Sequence, residues 1–165
     1  MAVNLDRFRR MLEQDVPAVL ALERGAFPVP WTEEMLRDEL AARSRTYLVV
    51  DGEAGVMAYG GFMVVDATAH IMTIAVAEGH RRNGTGTRLL LALIDAALEA
   101  GVEHLTLELR VSNEAALCFY TKFGFAPVGI RPRYYADEDA LVMWAVDATG
   151  LDYLRMLDRI RGEAA

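Results

Sequence analysis

The segment His80-Arg81-Arg82-Asn83-Gly84-Thr85-Gly86-Thr87-Arg88-Leu89-Leu90 constrains this chain more than any other. The apolar run Ile74-Ala75-Val76 precedes it, and beyond it Leu90, Leu93, Ile94 and Ala97 recur at helical spacing. A strand must end here, a short glycine-containing loop must turn, and a helix must begin. The first turn of a helix presents backbone N–H groups without intrahelical acceptors, together with a partial positive charge. Gly84 and Gly86 remove side chains that would hold a ligand away from those groups. With Arg81 and Arg82 at its lip, the turn is a candidate phosphate cradle, which points to a nucleotide or a coenzyme.

Composition narrows the choice of partner. The chain has 165 residues, enough for one domain with a substantial core. Its net charge is −7, which argues against free nucleic acid, because binding phosphate backbones needs a basic face. A cationic substrate suits this balance, and so does the plain solubility of an acidic protein. Cys118 is the single cysteine, so no internal disulfide can form. His70, His80 and His104 are scattered without metal-ligand spacing, and no metal is expected. The opening Met1-Ala2-Val3-Asn4-Leu5-Asp6-Arg7 lacks an apolar signal region. No apolar run approaches the roughly 20 residues of a membrane span. The expectation is a soluble, cytoplasmic protein with no membrane partner.

The rest of the pattern predicts interleaved strands and helices. A short strand near Arg7–Arg10 leads into a helix from about Glu13 to Gly25, with Pro17 near its first turn. The prolines of Ala26-Phe27-Pro28-Val29-Pro30-Trp31 exclude helix there. Thr32 then caps a second helix reaching about Ala42. Thr46–Val50, Val56–Val65 and Ala69–Val76 read as strands. A helix over Gly84–Ala100 stops at Gly101. In His104–Arg110 the leucines alternate with Thr106, Glu108 and Arg110, which marks a half-buried strand. Ser112 or Asn113 caps a short helix ending at Gly124. Strands at Phe125–Ile130 and Ala140–Val146 precede a last helix at Leu151–Ile160. Several strands run consecutively, so the fold class is α/β with α+β character: a central mixed, mostly antiparallel sheet with helices on both faces.

The glycine loop lacks both the dinucleotide fingerprint and the Gly-Lys-Ser/Thr of a P-loop, so neither NAD nor ATP is supported. Arg81-x-x-Gly84-x-Gly86 after a strand instead resembles the acyl-CoA pyrophosphate loop of the GCN5-related N-acetyltransferases (GNAT). The run from Leu107 through Asn113 and Tyr120 to Phe125 resembles the second half of the bacterial ribosomal-protein-alanine N-acetyltransferases. Gly129–Tyr135, Glu138-Asp139-Ala140 and Phe27–Trp31 resemble the same subfamily. The likeness runs in order from about Leu5 to Val146. It implies a GNAT domain over residues 1–148, with residues 149–165 as a C-terminal helical extension. The connection between Tyr135 and Glu138 is shorter than is usual in the subfamily.

The resemblance implies transfer of acetyl from acetyl-CoA directly to a primary amine, with Glu108 as general base and Tyr120 as general acid. It implies that Ile74, Ala75, Val76, Arg81, Arg82, Asn83, Gly84, Thr85, Gly86, Thr87 and Asn113 meet the coenzyme. Trp31 and Tyr134 become candidates for the peptide-side wall. Each residue also has a structural alternative. Glu108 can pair with Arg110 or lie solvated, Tyr120 can be a core aromatic, Asn113 a helix cap, and Trp31 and Tyr134 core anchors. Cys118 reads as core filler. The acidic residues Glu33, Glu34, Asp38, Glu39, Asp137, Glu138 and Asp139 either face a basic substrate tail or form solvated surfaces. An N-terminal amine suits a carboxylate base better than lysine does. It titrates ~2.5 units lower, which saves about 3.4 kcal/mol of deprotonation at neutral pH. The implied substrate is the N-terminal alanine of a small-subunit ribosomal protein, modified by a monomer or weak dimer. Acetylation of another protein N-terminus, a lysine or a small amine is the alternative, and a non-catalytic coenzyme-binding module is the second.

Overall fold

A computed structural model describes residues 7–164. Residues 1–6, read above as lacking a signal region, and Ala165 lie outside the described part. Seven strands form one sheet: β1 (Arg7–Arg10), β2 (Arg45–Gly52), β3 (Gly55–Val65), β4 (Thr68–Val76), β5 (His104–Arg110), β6 (Ala126–Arg131) and β7 (Ala140–Ala145). Their spatial order is β1-β2-β3-β4-β5-β7-β6. Every neighbouring pair is antiparallel except β4 and β5. Five helices pack on the sheet: α1 (Val16–Ala26), α2 (Glu33–Ala41), α3 (Thr85–Glu99), α4 (Glu114–Lys122) and α5 (Leu151–Ala164).

The mixed sheet with two helical faces is present as expected, because its central strands face two separate cores. On one face Tyr47, Val49, Tyr59 and Ala75 meet Val16, Val19, Leu20 and Leu36 from α1 and α2. On the other, Val50, Ala58, Phe62, Leu105 and Leu107 meet Leu89, Leu90, Leu93 and Ile94 from α3, with Leu157 from α5. Helix boundaries follow their local chemistry. Thr32 Oγ1 accepts from Met35 N at 3.2 Å, and Asn113 Oδ1 accepts from Ala116 N at 3.1 Å. The first helix departs from expectation. Glu13–Asp15 forms a 3₁₀ turn, and the α-helix starts only at Val16. The Asp15 carboxylate holds that turn by accepting from Leu12 N at 2.7 Å and from Arg9.

One feature of the sheet positions everything that follows. The parallel strands β4 and β5 pair only from Thr68 to His70 against His104 to Thr106. Beyond that rung the ladder stops, while β4 runs on to Val76 and β5 to Arg110. The sheet is therefore forked between them. Both strands point toward the open end, and the N-termini of α3 and α4 follow there. A crevice beyond the carboxyl ends of parallel strands is where open α/β sheets bind ligands.

Candidate active site

The turn that opens α3 lies at one arm of the fork. Arg81 Nε donates to Val76 O at 2.9 Å and ties the loop back to β4. Asn83 Oδ1 accepts from both Thr85 N at 3.2 Å and Thr85 Oγ1 at 2.7 Å. Thr85 is buried, so its side chain is taken up inside the loop. Gly84 is the N-cap of α3 with φ 84°, a left-handed conformation that glycine reaches without a Cβ clash. The N–H groups of Gly86 and Thr87 then have no acceptor within the helix. A Cβ on Gly86 would meet Val76 at 3.7 Å and Phe119 at 3.9 Å, ordinary contacts. Packing alone does not require glycine at that position. Arg81, Arg82 and Asn83 are exposed around the turn.

Ile74, Ala75 and Val76 form the β4 side of the fork. They pair with Gly60, Tyr59 and Ala58 of β3 on one edge and face the gap with the other. Asn113 stands at the start of α4 on the opposite arm, where its side chain makes the capping bond of its structural alternative.

Glu108 sits just past the last paired rung, on the same face of β5 as Thr106. Its side chain is only 4% exposed. The expected partner Arg110 is turned away. It bonds Asp137 Oδ1 at 2.6 Å and Glu138 Oε1 at 3.0 Å, and lies 4.4 Å above the Tyr135 ring. Two other basic side chains face Glu108. His70 Nε2 contacts Oε2, and Arg131 Nε lies 3.4 Å from Oε1. Oε2 lies against His70 and has no other polar partner among the described residues. Burial pushes the Glu108 carboxyl up, but His70, by hydrogen-bonding proximity and charge, and Arg131 outweigh it. The net shift is downward, so the group is ionised at neutral pH.

Tyr120 comes to the same region from α4. It is half-buried, with Phe119 at 5.1 Å and Phe125 at 5.7 Å between ring centroids. Burial, with a smaller effect from Tyr135, raises its phenol and keeps it protonated. Tyr135 also feels Glu108 and donates from Oη to Glu108 O at 3.5 Å. Tyr134 is 48% exposed, packs edge-on against Tyr135 and lies under Arg131. Glu108, Tyr134, Tyr135 and Tyr120 thus form one electrostatically linked group.

Trp31 belongs to another wall. Its ring meets Tyr47 edge-on at 6.2 Å, and its backbone N–H donates to Glu23 Oε2 at 2.9 Å. Glu23 itself is buried, and its Oε1 accepts from Tyr59 Oη. Neither Glu23 nor His70 stands out in the sequence. Each faces partners on distant strands, and neither falls within a motif. The acidic turn also has an internal use: Glu138 accepts from Ser112 N and Oγ, and Asp139 accepts from Arg133 N at 2.8 Å. Cys118 is corrected from core filler to an exposed residue, because α4 turns Leu117, Phe119 and Tyr120 inward instead.

The forked, mostly antiparallel sheet with helices on both faces is the fold of an N-acetyltransferase. The Acetyltransferase (GNAT) family profile matches residues 16–125, and the chain belongs to that family as an N-acetyltransferase. Such enzymes use acetyl-CoA as acetyl donor. The chain is 36% identical over 139 residues to a Bacillus subtilis (strain 168) protein provisionally named a [ribosomal protein bS18]-alanine N-acetyltransferase, covering 82% of this chain and 92% of that one. It is 33% identical over 153 residues to an N-alpha-acetyltransferase of Sulfurisphaera tokodaii, covering 84% of this chain and 92% of the relative. The crystal structure of the ribosomal-protein-S18-alanine N-acetyltransferase from Escherichia coli superposes with a TM-score of 0.79 at 31% identity, over 87% of this chain and 94% of the other.

Proposed function

We propose that this enzyme acetylates the N-terminal α-amine of a protein, specifically the terminal alanine of a small-subunit ribosomal protein. The observation that carries the reading is the buried, ionised Glu108 at the apex of the fork. The names of the relatives support the substrate class. In this reading the acetyl-CoA pyrophosphate rests on the Gly84–Thr87 turn, flanked by Arg81, Arg82 and Asn83. The pantetheine arm runs along Ile74–Val76, and Asn113 borders it from α4. A backbone N–H of β4 faces the thioester oxygen and stabilises the oxyanion.

The substrate amine attacks the thioester carbonyl carbon, and the C–S bond breaks as the tetrahedral adduct collapses. A carboxylate with a lowered pKa is a poor match for a free ammonium, which lies more than ~3 units above it. Once the nitrogen has attacked, it becomes strongly acidic, and Glu108 accepts its proton at that stage. Tyr120 gives its proton to the departing thiolate and regains one from solvent. The products are the N-acetylated chain and free CoA. Trp31 and Tyr134 stand on the two sides from which a peptide reaches the apex.

The test is a panel of amines with labelled acetyl-CoA: an Ala-initiated peptide, peptides with other N-termini, N-blocked lysine peptides and polyamines. The expected result is preference for the Ala-initiated α-amine. Glu108→Gln and Tyr120→Phe should each lower kcat roughly 10²- to 10⁴-fold with little change in the KM for acetyl-CoA. Turnover intact in both variants rejects the assigned roles, and a preferred lysine or polyamine rejects the substrate.

A further inference from the structure

We propose that His70 is a positioning residue for Glu108: it pins the carboxylate at the apex of the fork and keeps it in the charged form that accepts the substrate's proton. The inference rests on the reading of Glu108 as the base.

The sheet register makes the case. His70 and Thr106 form the last paired rung of β4 and β5. Glu108 is the next residue of β5 on the same face, already inside the gap. A carboxylate placed there loses most of its water, and burial is the largest single influence on it, favouring the neutral acid. A cation or a hydrogen-bond donor must offset that cost for the group to work as a base. The charged and titratable neighbours can be named from each side. β4 supplies His70, β6 supplies Arg131, and the β6–β7 connection supplies Tyr134 and Tyr135. Arg110, on the strand of Glu108 itself, is held by Asp137 and Glu138.

The two basic neighbours are not equivalent. Arg131 is on the edge strand, its side chain is 59% exposed, and it stands 3.4 Å from Oε1. Solvent screens such a charge, and its long side chain is free to move. His70 is 21% exposed and sits on a central strand against Oε2. A short, stiff side chain on a paired rung holds its neighbour better than a long exposed one. The imidazole lies against Oε2 and favours the carboxylate over the neutral acid.

The sign is definite. Removing His70 leaves burial opposed by Arg131 alone, so the Glu108 midpoint rises. The active carboxylate is then lost at higher pH, and the acid limb of the rate profile moves upward. The experiment compares wild type with His70→Gln and His70→Asn in the full chain, using acetyl-CoA and an Ala-initiated peptide. Two readouts are taken. The first is the ¹³C carboxyl titration of Glu108, identified by its loss in Glu108→Gln. The second is the pH profile of kcat/KM. In both variants the Glu108 midpoint should rise. Below both midpoints, on the acid limb, kcat of the variants should fall about tenfold below wild type, with the KM for acetyl-CoA unchanged. His70→Gln should recover most of the lost rate at neutral pH, where Glu108 is again ionised. An acetyl-CoA-induced shift in melting temperature checks that both variants remain folded. A Glu108 midpoint that does not move overturns the inference. If Glu108→Gln is inactive while the acid limb of both His70 variants matches wild type, the base stands and His70 is excluded. If Glu108→Gln is fully active, the base reading falls, and this inference falls with it.

Discussion

At the scale of single residues, the site is organised by buried carboxylates that each satisfy several partners. Glu23 shows this best. It is buried beneath Trp31, where one oxygen accepts from Tyr59 and the other from the Trp31 backbone. It thereby joins α1, β3 and the segment that opens α2. Glu23→Ala should cost about 3 kcal/mol, because one buried and one half-buried donor lose their acceptor and a cavity opens. Glu23→Gln should cost less, since its amide can still accept at one position. Glu23→Ala frees the Trp31 backbone, so its KM for peptide should rise severalfold while the KM for acetyl-CoA stays constant. Steady-state kinetics with each substrate varied in turn, alongside urea melts, decides it. An unchanged peptide KM would place Trp31 outside the peptide site. Little of this was legible beforehand. Glu108 and Tyr120 came from resemblance, carried by the motif around Asn113. Glu23 and His70 sit in no motif, and their roles exist only because the sheet brings distant segments together.

Elements were far more legible, because alternation and capping are local. The strand over His104–Arg110 and the caps at Thr32 and Asn113 lie where the pattern puts them. The 3₁₀ turn before α1 was missed because Asp15 holds it through Arg9, a contact across the chain that no local pattern encodes. The fork was missed for a related reason. Periodicity shows that β4 and β5 are strands, but not where their pairing stops. Close approach within an element is equally hidden. Gly61 on β3 lies against the Tyr47 ring, and a Cβ there would stand 2.3 Å from the ring Cδ1. Tyr47 cannot simply withdraw, since its hydroxyl donates to Glu39 at 2.7 Å and its ring lies against Trp31 and Tyr59. Gly61→Ala should therefore destabilise the protein by about 1–3 kcal/mol, the usual cost of overpacking. Gly129→Ala is the control, because a Cβ there meets nothing within 4 Å. Paired denaturant melts test the contrast, and equal stability in the two variants would contradict the packing described.

At the scale of the whole molecule, the question is what keeps a forked sheet together. Only three rungs join β4 to β5, so the ladder alone is a weak link between the two halves. The apolar core supplies the rest. Helix α3 lies across it, and α5 continues it: Leu157 is 1% exposed, with Tyr153, Met156 and Ile160 packed beside it. Tyr153 Oη donates to the Phe123 carbonyl at 3.0 Å, which ties α5 to the end of α4. The matched family profile ends at residue 125, yet α5 shares a core with residues well inside it. It also walls a groove of about 590 Å³ that reaches Gly84 and Thr87, beside the turn assigned to the coenzyme. An element buried in a shared core should unfold with it rather than before it. Leu157→Ala should thus lower global stability by about 2–5 kcal/mol, whereas Arg155→Ala, on the exposed side, should change it by less than about 0.5 kcal/mol. In both variants the far-UV and tryptophan-fluorescence transitions should coincide. Trp31 packs with the α1–α2 core on the opposite face of the sheet from Leu157, so in a Trp144→Phe background fluorescence reports that face. If the helix melts first and the fluorescence transition of Leu157→Ala stays at the wild-type midpoint, α5 is an appendage, and the halves of the fork are held by α3 alone.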